Sequence, residues 1–241
     1  MNIVRHIPNT ITSMNLLCGT VGVICAFDGR ADLAFLLMLA AAVFDFCDGW
    51  SARMLKAYSP VGKELDSMAD LISFGLLPAV MFHTAVCNAG VTGIVKFIPL
   101  LLVVFSALRL AKFNTDDTQT ENFKGLATPA SAMITGSFIY NVTCSQDSIM
   151  TGALSSPLFI ITSTVILSAL MVCRIPMFSM KFKKSDKAES PLYKMRLAFI
   201  GIFCACIVLV ALLGLNWSMI ILLSFVIYVL MNVINAVFTK K

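Results

Sequence analysis

Four aspartates stand within a short stretch of an otherwise apolar chain: Asp45, Asp48, Asp66 and Asp70, in DFCDGWSARMLKAYSPVGKELDSMAD. Carboxylates gathered this way bind hard cations, move protons or pair with basic side chains. Asp45 continues the apolar run LAFLLMLAAAVF without a break. On a helix, Asp45, Asp48, Gly49, Ala52 and Arg53 recur at i, i+3, i+4, i+7 and i+8 and share one face. Gly62, Asp66 and Asp70 share a face of the next helix, and Ser59-Pro60 marks a turn between the two. The spacing predicts a helical hairpin that directs four carboxylates into one pocket. A carboxylate at the centre of a membrane helix costs roughly 2.5–3.5 kcal/mol on insertion scales, and four together repel one another. Divalent cations relieve both problems, and hard oxygen ligands in pairs suit magnesium or manganese, two of which can clamp both ends of a phosphoryl transfer. Gly49 and Ala52 remove bulk beside the carboxylates, so that a flat or bulky ligand can approach the helix backbone. Taken singly, each aspartate reads equally well as a solvated helix-end residue or an ion-pair partner of Arg53, Lys56 or Lys63.

As a set they do not. The pattern D-x2-D-G-x2-A-R-x8-G-x3-D-x3-D fixes eight positions, and its chance occurrence is on the order of one in 10^10 per starting position. The chain here resembles the CDP-alcohol phosphotransferases, whose motif this is. Two further stretches resemble the serine-using branch of that family. One is P-N-x-x-T-x-x-N-L-x-x-G, present as Pro8, Asn9, Thr12, Asn15, Leu16 and Gly19. The other is R-L-A-R-F-N followed by F-x-G-L-P-x-P-A, present from Arg109 to Ala130 with Lys112 in place of Arg and Ala127 in place of the first Pro. The resemblance covers roughly the first 130 residues. It implies a membrane enzyme that moves a phosphatidyl group from CDP-diacylglycerol to the hydroxyl of L-serine and releases CMP. It further implies two divalent ions, Mg2+ or Mn2+, on Asp45, Asp48, Asp66 and Asp70, with Asp70 as general base. Gly49, Ala52, Arg53, Asn9 and Thr12 would hold the CDP part, and Arg109, Lys112 and Lys124 the acceptor or diphosphate. These three cations read equally well as topological anchors. Members of the family are often homodimers, although no packing motif here shows it.

Around these residues the 241-residue chain is 59% hydrophobic and 13% charged, with net charge +5 and mean hydropathy +0.89. That composition excludes an ordinary soluble domain and fits an all-α polytopic membrane bundle. The chain reads as one membrane domain over residues 1–241, with a motif-bearing core over 1–175 and two extra spans over 196–238. Eight apolar segments are expected: Thr12–Phe27, Asp32–Lys56, Asp66–Cys87, Thr92–Lys112, Pro129–Cys144, Pro157–Val172, Arg196–Leu213 and Trp217–Phe238. Several are short for a span. Thr10 or Thr12 is expected to cap the first helix behind Pro8, and the polar stretch from Arg109 to Ala130 is expected to be a loop.

Of the 18 Lys and Arg residues, 16 fall on the side of the termini and the even connections, leaving Arg30 and Lys96 opposite. By the positive-inside rule, both termini and the aspartate pocket face the cytoplasm, here of a bacterial cytoplasmic membrane. The Lys-rich stretch from Lys181 to Lys194 reads as an anchor and a contact for anionic membrane lipids, not for nucleic acid, because it lies between two spans. The eight cysteines form no CxxC pair and sit in apolar runs, so neither disulfides nor a zinc site is expected. His6 and His83 stand alone and receive no ligand role. Two other readings stay open: the same chemistry with glycerol 3-phosphate or inositol phosphate as acceptor, and a cation transporter with an intramembrane carboxylate site.

Overall fold

A computed structural model describes residues 6–115, 123–144, 150–177 and 191–239. Of the basic residues counted above, Arg5, Lys181, Lys183, Lys184, Lys187, Lys240 and Lys241 lie outside these ranges. The described chain is almost wholly helical. Its helices are α1 (Ile7–Phe27), α2 (Ala31–Met54), α3 (Pro60–Asp70), α4 (Leu77–Asn88), α5 (Leu101–Thr115), α6 (Thr128–Cys144), the single turn α7 (Thr151–Leu154), α8 (Pro157–Val172), α9 (Pro191–Leu212) and α10 (Ser218–Thr239). A π-helical segment, Leu71–Leu76, joins α3 to α4, and a 3-10 segment, Gly93–Leu100, leads into α5. All eight expected apolar segments are helical. Six rods are long and apolar enough to cross a membrane: α1, α2, Pro60–Asn88, Gly93–Thr115, Met195–Leu212 and Ser218–Phe238. The other two, α6 and α8, have 17 and 16 residues, or about 24–26 Å at 1.5 Å per residue, short of a hydrocarbon core of about 30 Å. Against the expectation of about eight spans, the described residues therefore supply six full-length candidate spans, with α6 and α8 as helices too short to count with them, in an all-α polytopic architecture.

The first helix starts earlier than expected. It begins at Ile7 with Pro8 in its first turn, where the missing N–H costs nothing and the fixed φ suits a helix. Thr10 and Thr12 lie inside it and donate back to the carbonyls of His6 and Pro8, both at 3.0 Å. At its other end, α2 closes with a Schellman pattern: Ala57 N–H bonds the Ala52 carbonyl at 3.0 Å, and Lys56 takes the left-handed conformation at φ 48°. The Ser59-Pro60 turn then forms as its residues predict. Ser59 Oγ accepts from Gly62 N–H at 2.9 Å, and Pro60 opens α3.

The rod Pro60–Asn88 owes its π segment to Pro78. That proline sits in the first turn of α4 inside a continuous helix, where it removes an i→i−4 bond and crowds the preceding turn. The core gathers Phe35 and Met38 of α2, Phe74 of the π segment, Leu77 and Met81 of α4, Ile139 of α6, Ile160 of α8 and Val229 of α10. Helix α6 packs closely at the centre because many of its buried residues are small, among them Ala130, Ser131, Ala132, Thr135, Gly136 and Ser137, beside the larger Met133 and Ile139.

The stretch from Arg109 to Ala130 is a loop only in its middle. Helix α5 carries Arg109 and Lys112 on to Thr115, and α6 takes up again at Thr128, so Pro129 opens a helix where it is favoured. Between them, strand β1 (Phe123–Lys124) pairs antiparallel with β2 (Pro176–Met177), in the register Phe123↔Met177 and Lys124↔Pro176. The pair ties the α5–α6 connection to the α8–α9 connection, two links that the charge pattern also assigns to one side. Gly125 follows β1 at φ 81°, and a Cβ there would lie 2.6 Å from the Met171 carbonyl oxygen. Only glycine combines that φ with that closeness.

Candidate active site

The aspartates meet in a modified form of the expected hairpin. Helices α2 and α3 make little direct contact; α1 packs against both and forms the third wall. Asp45 and Asp48 from α2 and Asp66 from α3 each bring a carboxylate oxygen within 4.8 Å of the others. Asp48 is buried, and both Asp48 Oδ2 and Asp66 Oδ1 are buried with no hydrogen-bond partner. Among the described residues none of the four aspartates forms an ion pair, and Arg53, Lys56 and Lys63 do not bridge to them. Buried, unpartnered carboxylate oxygens are costly unless something else satisfies them. Oxygens bound to one divalent ion at about 2.0–2.6 Å lie at most about 4–5 Å apart. The donor set, hard and all-oxygen, therefore fits a divalent cation.

Asp70 stands apart from that trio, one helical turn beyond Asp66. Its Oδ1 accepts from Asn15 Nδ2 of α1 at 3.5 Å, and it lies within electrostatic reach of Asp45, Asp66 and Arg109. Arg109 is half-buried; it donates to Thr128 Oγ1 at 3.3 Å and lies 5.5 Å from the centre of the Phe113 ring.

Beside the carboxylates opens a cavity of about 200 Å³, lined by Pro8, Asn9 and Thr12 of α1, Asp48, Gly49 and Ala52 of α2, Ala57, Tyr58 and Ser59 of the turn, and Gly62, Lys63 and Asp66 of α3. The start of α1 and the start of α3 both border it, so two positive helix-dipole ends face one space, which Lys63 also lines. An anionic ligand beside a cation-binding carboxylate cluster is what this arrangement favours. A Cβ at position 62 would lie 2.8 Å from Asn9 Oδ1 and 2.9 Å from Ser59 Oγ, so a larger residue there would displace side chains at the edge of the cavity.

Of the sequence-predicted residues, the structure gathers Asn9, Thr12, Asp48, Gly49, Ala52 and Asp66 around this cavity, with Asp45 completing the carboxylate trio. Arg53 is exposed and does not line it; its Nη1 lies 3.4 Å from where a Cβ on Gly49 would be. Arg109 falls on the Asp70 side. Lys112 is exposed on α5, and Lys124 enters through its backbone in β1. Two residues that the sequence reading left without a role do appear. Lys63 lines the cavity and donates to the Asn114 carbonyl at 3.2 Å, while Asn114 Nδ2 donates to Ser67 Oγ at 2.8 Å. The asparagine of the R-L-A-K-F-N element thus braces α5 against α3. Asn15 is the other. Both stood inside quoted motifs or beside motif positions, which was the available signal.

The sequence is similar to those of known proteins. The sequence profile described as CDP-alcohol phosphatidyltransferase matches residues 5–173, a span that ends before α9 and α10. An archaetidylserine synthase of Methanothermobacter thermautotrophicus is 34% identical over 134 residues, 55% of this chain and 57% of that protein. A CDP-diacylglycerol–serine O-phosphatidyltransferase of Bacillus subtilis is 31% identical over 189 residues, covering 77% of this chain and 97% of that protein. One from Mycobacterium leprae is 30% identical over 210 residues, 84% of this chain and 67% of that protein. The match thus spans little more than half of the archaeal relative and nearly all of the Bacillus one.

Proposed function

This chain belongs to the CDP-alcohol phosphatidyltransferase family, and from that premise we propose that it transfers the phosphatidyl group of CDP-diacylglycerol to the hydroxyl of L-serine, yielding phosphatidylserine and CMP. The observation that carries the reading is the trio Asp45, Asp48 and Asp66, with two buried oxygens unpartnered beside a cavity faced by two helix N-termini and Lys63. Serine as acceptor is supported by the names of the relatives and by the two serine-branch stretches. A multi-pass helical membrane location follows from the six long apolar rods. Loop charge supports a pocket and termini facing the cytoplasm, and the bacterial relatives support a bacterial cytoplasmic membrane as the location.

The residues divide the work by place. Asp45, Asp48 and Asp66, with Asp70 one turn beyond, would hold one or two divalent ions, Mg2+ or Mn2+. Bound there, such ions would neutralise the diphosphate and the departing CMP phosphate. Gly49 and Ala52 leave the α2 backbone open to the CDP part, and Asn9 and Thr12 face it from α1. Lys63 supplies a cation to the same space. On the other flank Asp70 takes the proton of the serine hydroxyl as that oxygen attacks the phosphorus bonded to diacylglycerol. Arg109 lies within reach of Asp70 and suits the serine carboxylate, for which a planar guanidinium is the better partner.

The deciding experiment is an acceptor panel. Detergent-purified protein is given CDP-diacylglycerol, a divalent ion and either serine, glycerol 3-phosphate or inositol phosphate, and CMP release is measured. Release with serine and not with the phosphorylated acceptors is expected, and its loss on chelation. Release with glycerol 3-phosphate alone would reassign the acceptor. No release with any acceptor would return the site to cation binding without group transfer.

A further inference from the structure

The residue that holds Asp70 comes from α1. Asn15 is fully buried, and its Nδ2 donates to Asp70 Oδ1 at 3.5 Å. Its own backbone carbonyl accepts Ser73 Oγ at 3.0 Å, so the residue is gripped at both ends by the same stretch of chain: the last residue of α3 and the third residue of the π segment. The grip needs α1 to lie very close. One turn on from Asn15, a Cβ at Gly19 would run into Ser73 Oγ and sit 2.9 Å from its Cα. π segments cluster at functional sites, and this one begins on the residue after Asp70.

The amide orientation follows from charge. With the group turned over, its oxygen would face a carboxylate oxygen, whereas Nδ2 can donate. In this orientation Asn15 Oδ1 is buried without a partner. An apolar residue of the same size would fill the space without that penalty, so packing does not account for an asparagine here.

We propose that Asn15 is the positioning residue for Asp70: it fixes one carboxylate oxygen through Nδ2, leaving the other aimed at the acceptor hydroxyl. The inference rests on the reading of Asp70 as the base that takes the acceptor's proton. Asn15 itself does not touch the reacting atoms; it acts on the rate by limiting how the Asp70 carboxylate can turn.

The test uses the full chain in detergent, with Asn15→Leu, which removes the donor at similar size, and Asn15→Ser as a smaller second variant should the first not fold. Steady-state CMP release is measured with serine and CDP-diacylglycerol varied in turn. Loss of one hydrogen bond to a charged group should lower kcat roughly ten- to a hundred-fold, with the apparent KM for CDP-diacylglycerol within about two-fold of wild type. An unchanged kcat overturns the proposal. So does a fall in kcat matched by an equal rise in donor KM, which would make Asn15 a donor-side or merely structural residue. Thermal unfolding of Asn15→Leu, Asp70→Asn and the double variant separates this proposal from the reading beneath it. Non-additive shifts in Tm support the contact whatever Asp70 does in the reaction, and additive shifts overturn it. Wild-type kcat in Asp70→Asn would remove Asp70 as base and the positioning role with it.

Discussion

The rod Pro60–Asn88 and the helix α9 both qualify as membrane spans, yet they use apolar sequence in opposite ways. The first is the least apolar of the six, and 61% of its span window is buried in the protein; the span in α9 is the most apolar, and 17% of its window is buried. In water the ranking would be reversed. In lipid the tails satisfy apolar side chains as well as a protein core does, so what gathers inside is small and polar residues that lipid cannot satisfy. The buried face of the Pro60–Asn88 rod is itself mostly apolar, with Phe74, Leu77, Met81 and Phe82 beside Ser73, and the buried polar residues around it come from α1 and α2, as Thr12, Asn15 and Asp48, all under 9% exposed.

The strongest way to break that contrast is to neutralise one carboxylate on the inner rod. We expect Asp66→Asn to keep the fold and lower CMP release by at least about 10²–10³-fold, the scale for losing one preorganised charge-stabilising group. Val208→Ala or Leu212→Ala on α9, where the side chains are 57% and 80% exposed, should stay within about two-fold. Rates near wild type for Asp66→Asn at ordinary metal concentration would end the two-metal reading. Comparable losses on α9 would mean that the outer helix is part of the machinery.

A smaller effect separates the two flanks of the site. Arg109→Ala removes a guanidinium that touches Thr128 and lies near Asp70. Losing a charge-assisted bond of about 1.5–3 kcal/mol should lower kcat/KM for serine roughly ten- to a hundred-fold. Donor KM should hardly move, because Arg109 does not line the cavity that holds Asn9, Gly49 and Ala52. Varying each substrate in turn checks it, and an equal loss for both would move Arg109 to the diphosphate side.

What the sequence allowed to be read follows the same division. The aspartate faces were legible because helical periodicity and a fixed motif act within one or two helices, and Ser59-Pro60 turned the chain where its chemistry requires. The third wall was legible only through the family resemblance, which put Asn9 and Thr12 with the CDP part; helical periodicity alone does not say that α1 packs against both α2 and α3, and its close approach to the Pro60–Asn88 rod depends on Gly19. The π segment came from Pro78, eight residues downstream of Asp70, through a steric effect that hydropathy does not register. The stretch after Arg109 looked like loop because its polar residues were weighed together, although Arg109 to Thr115 still complete a helix whose Asn114 braces α3.

Glycine at position 125 offers a test of structure without chemistry. Gly125 and Gly90 share φ 81°, but only Gly125 would bring a Cβ against backbone carbonyls. Gly90→Ala should cost about 1–2 kcal/mol from conformation alone. Gly125→Ala should cost that plus about 1–3 kcal/mol for overpacking, read as a larger drop in Tm. Equal shifts would show that the β1–β2 link yields easily and does not fix the connection after α5.

The smallest expected effect is at Lys112, and it sharpens the comparison most. Lys112 stands in the serine-branch element at a place where arginine is usual, three residues after Arg109 on the same helix. By sequence both cations are candidates for the acceptor or diphosphate, the lysine being the less directional of the two. In the fold they differ in place: Arg109 is half-buried against Thr128, whereas Lys112 is exposed in the last turn of α5. An exposed lysine near a helix C-terminus contributes a few tenths of a kcal/mol through the dipole, and its field at a distant ligand is screened by solvent and salt. Lys112→Ala should therefore change kcat/KM for serine and for CDP-diacylglycerol by no more than about two-fold, with a similarly small shift in Tm. Lys63→Ala is the matched comparison, since Lys63 lines the cavity; it should raise the apparent KM for CDP-diacylglycerol by more than Lys112→Ala does. If Lys112→Ala instead matched Arg109→Ala in its loss of serine use, the end of α5 would have to bend toward Asp70 when substrate binds, and acceptor recognition would belong to the whole R-L-A-K-F-N element instead of to its first residue.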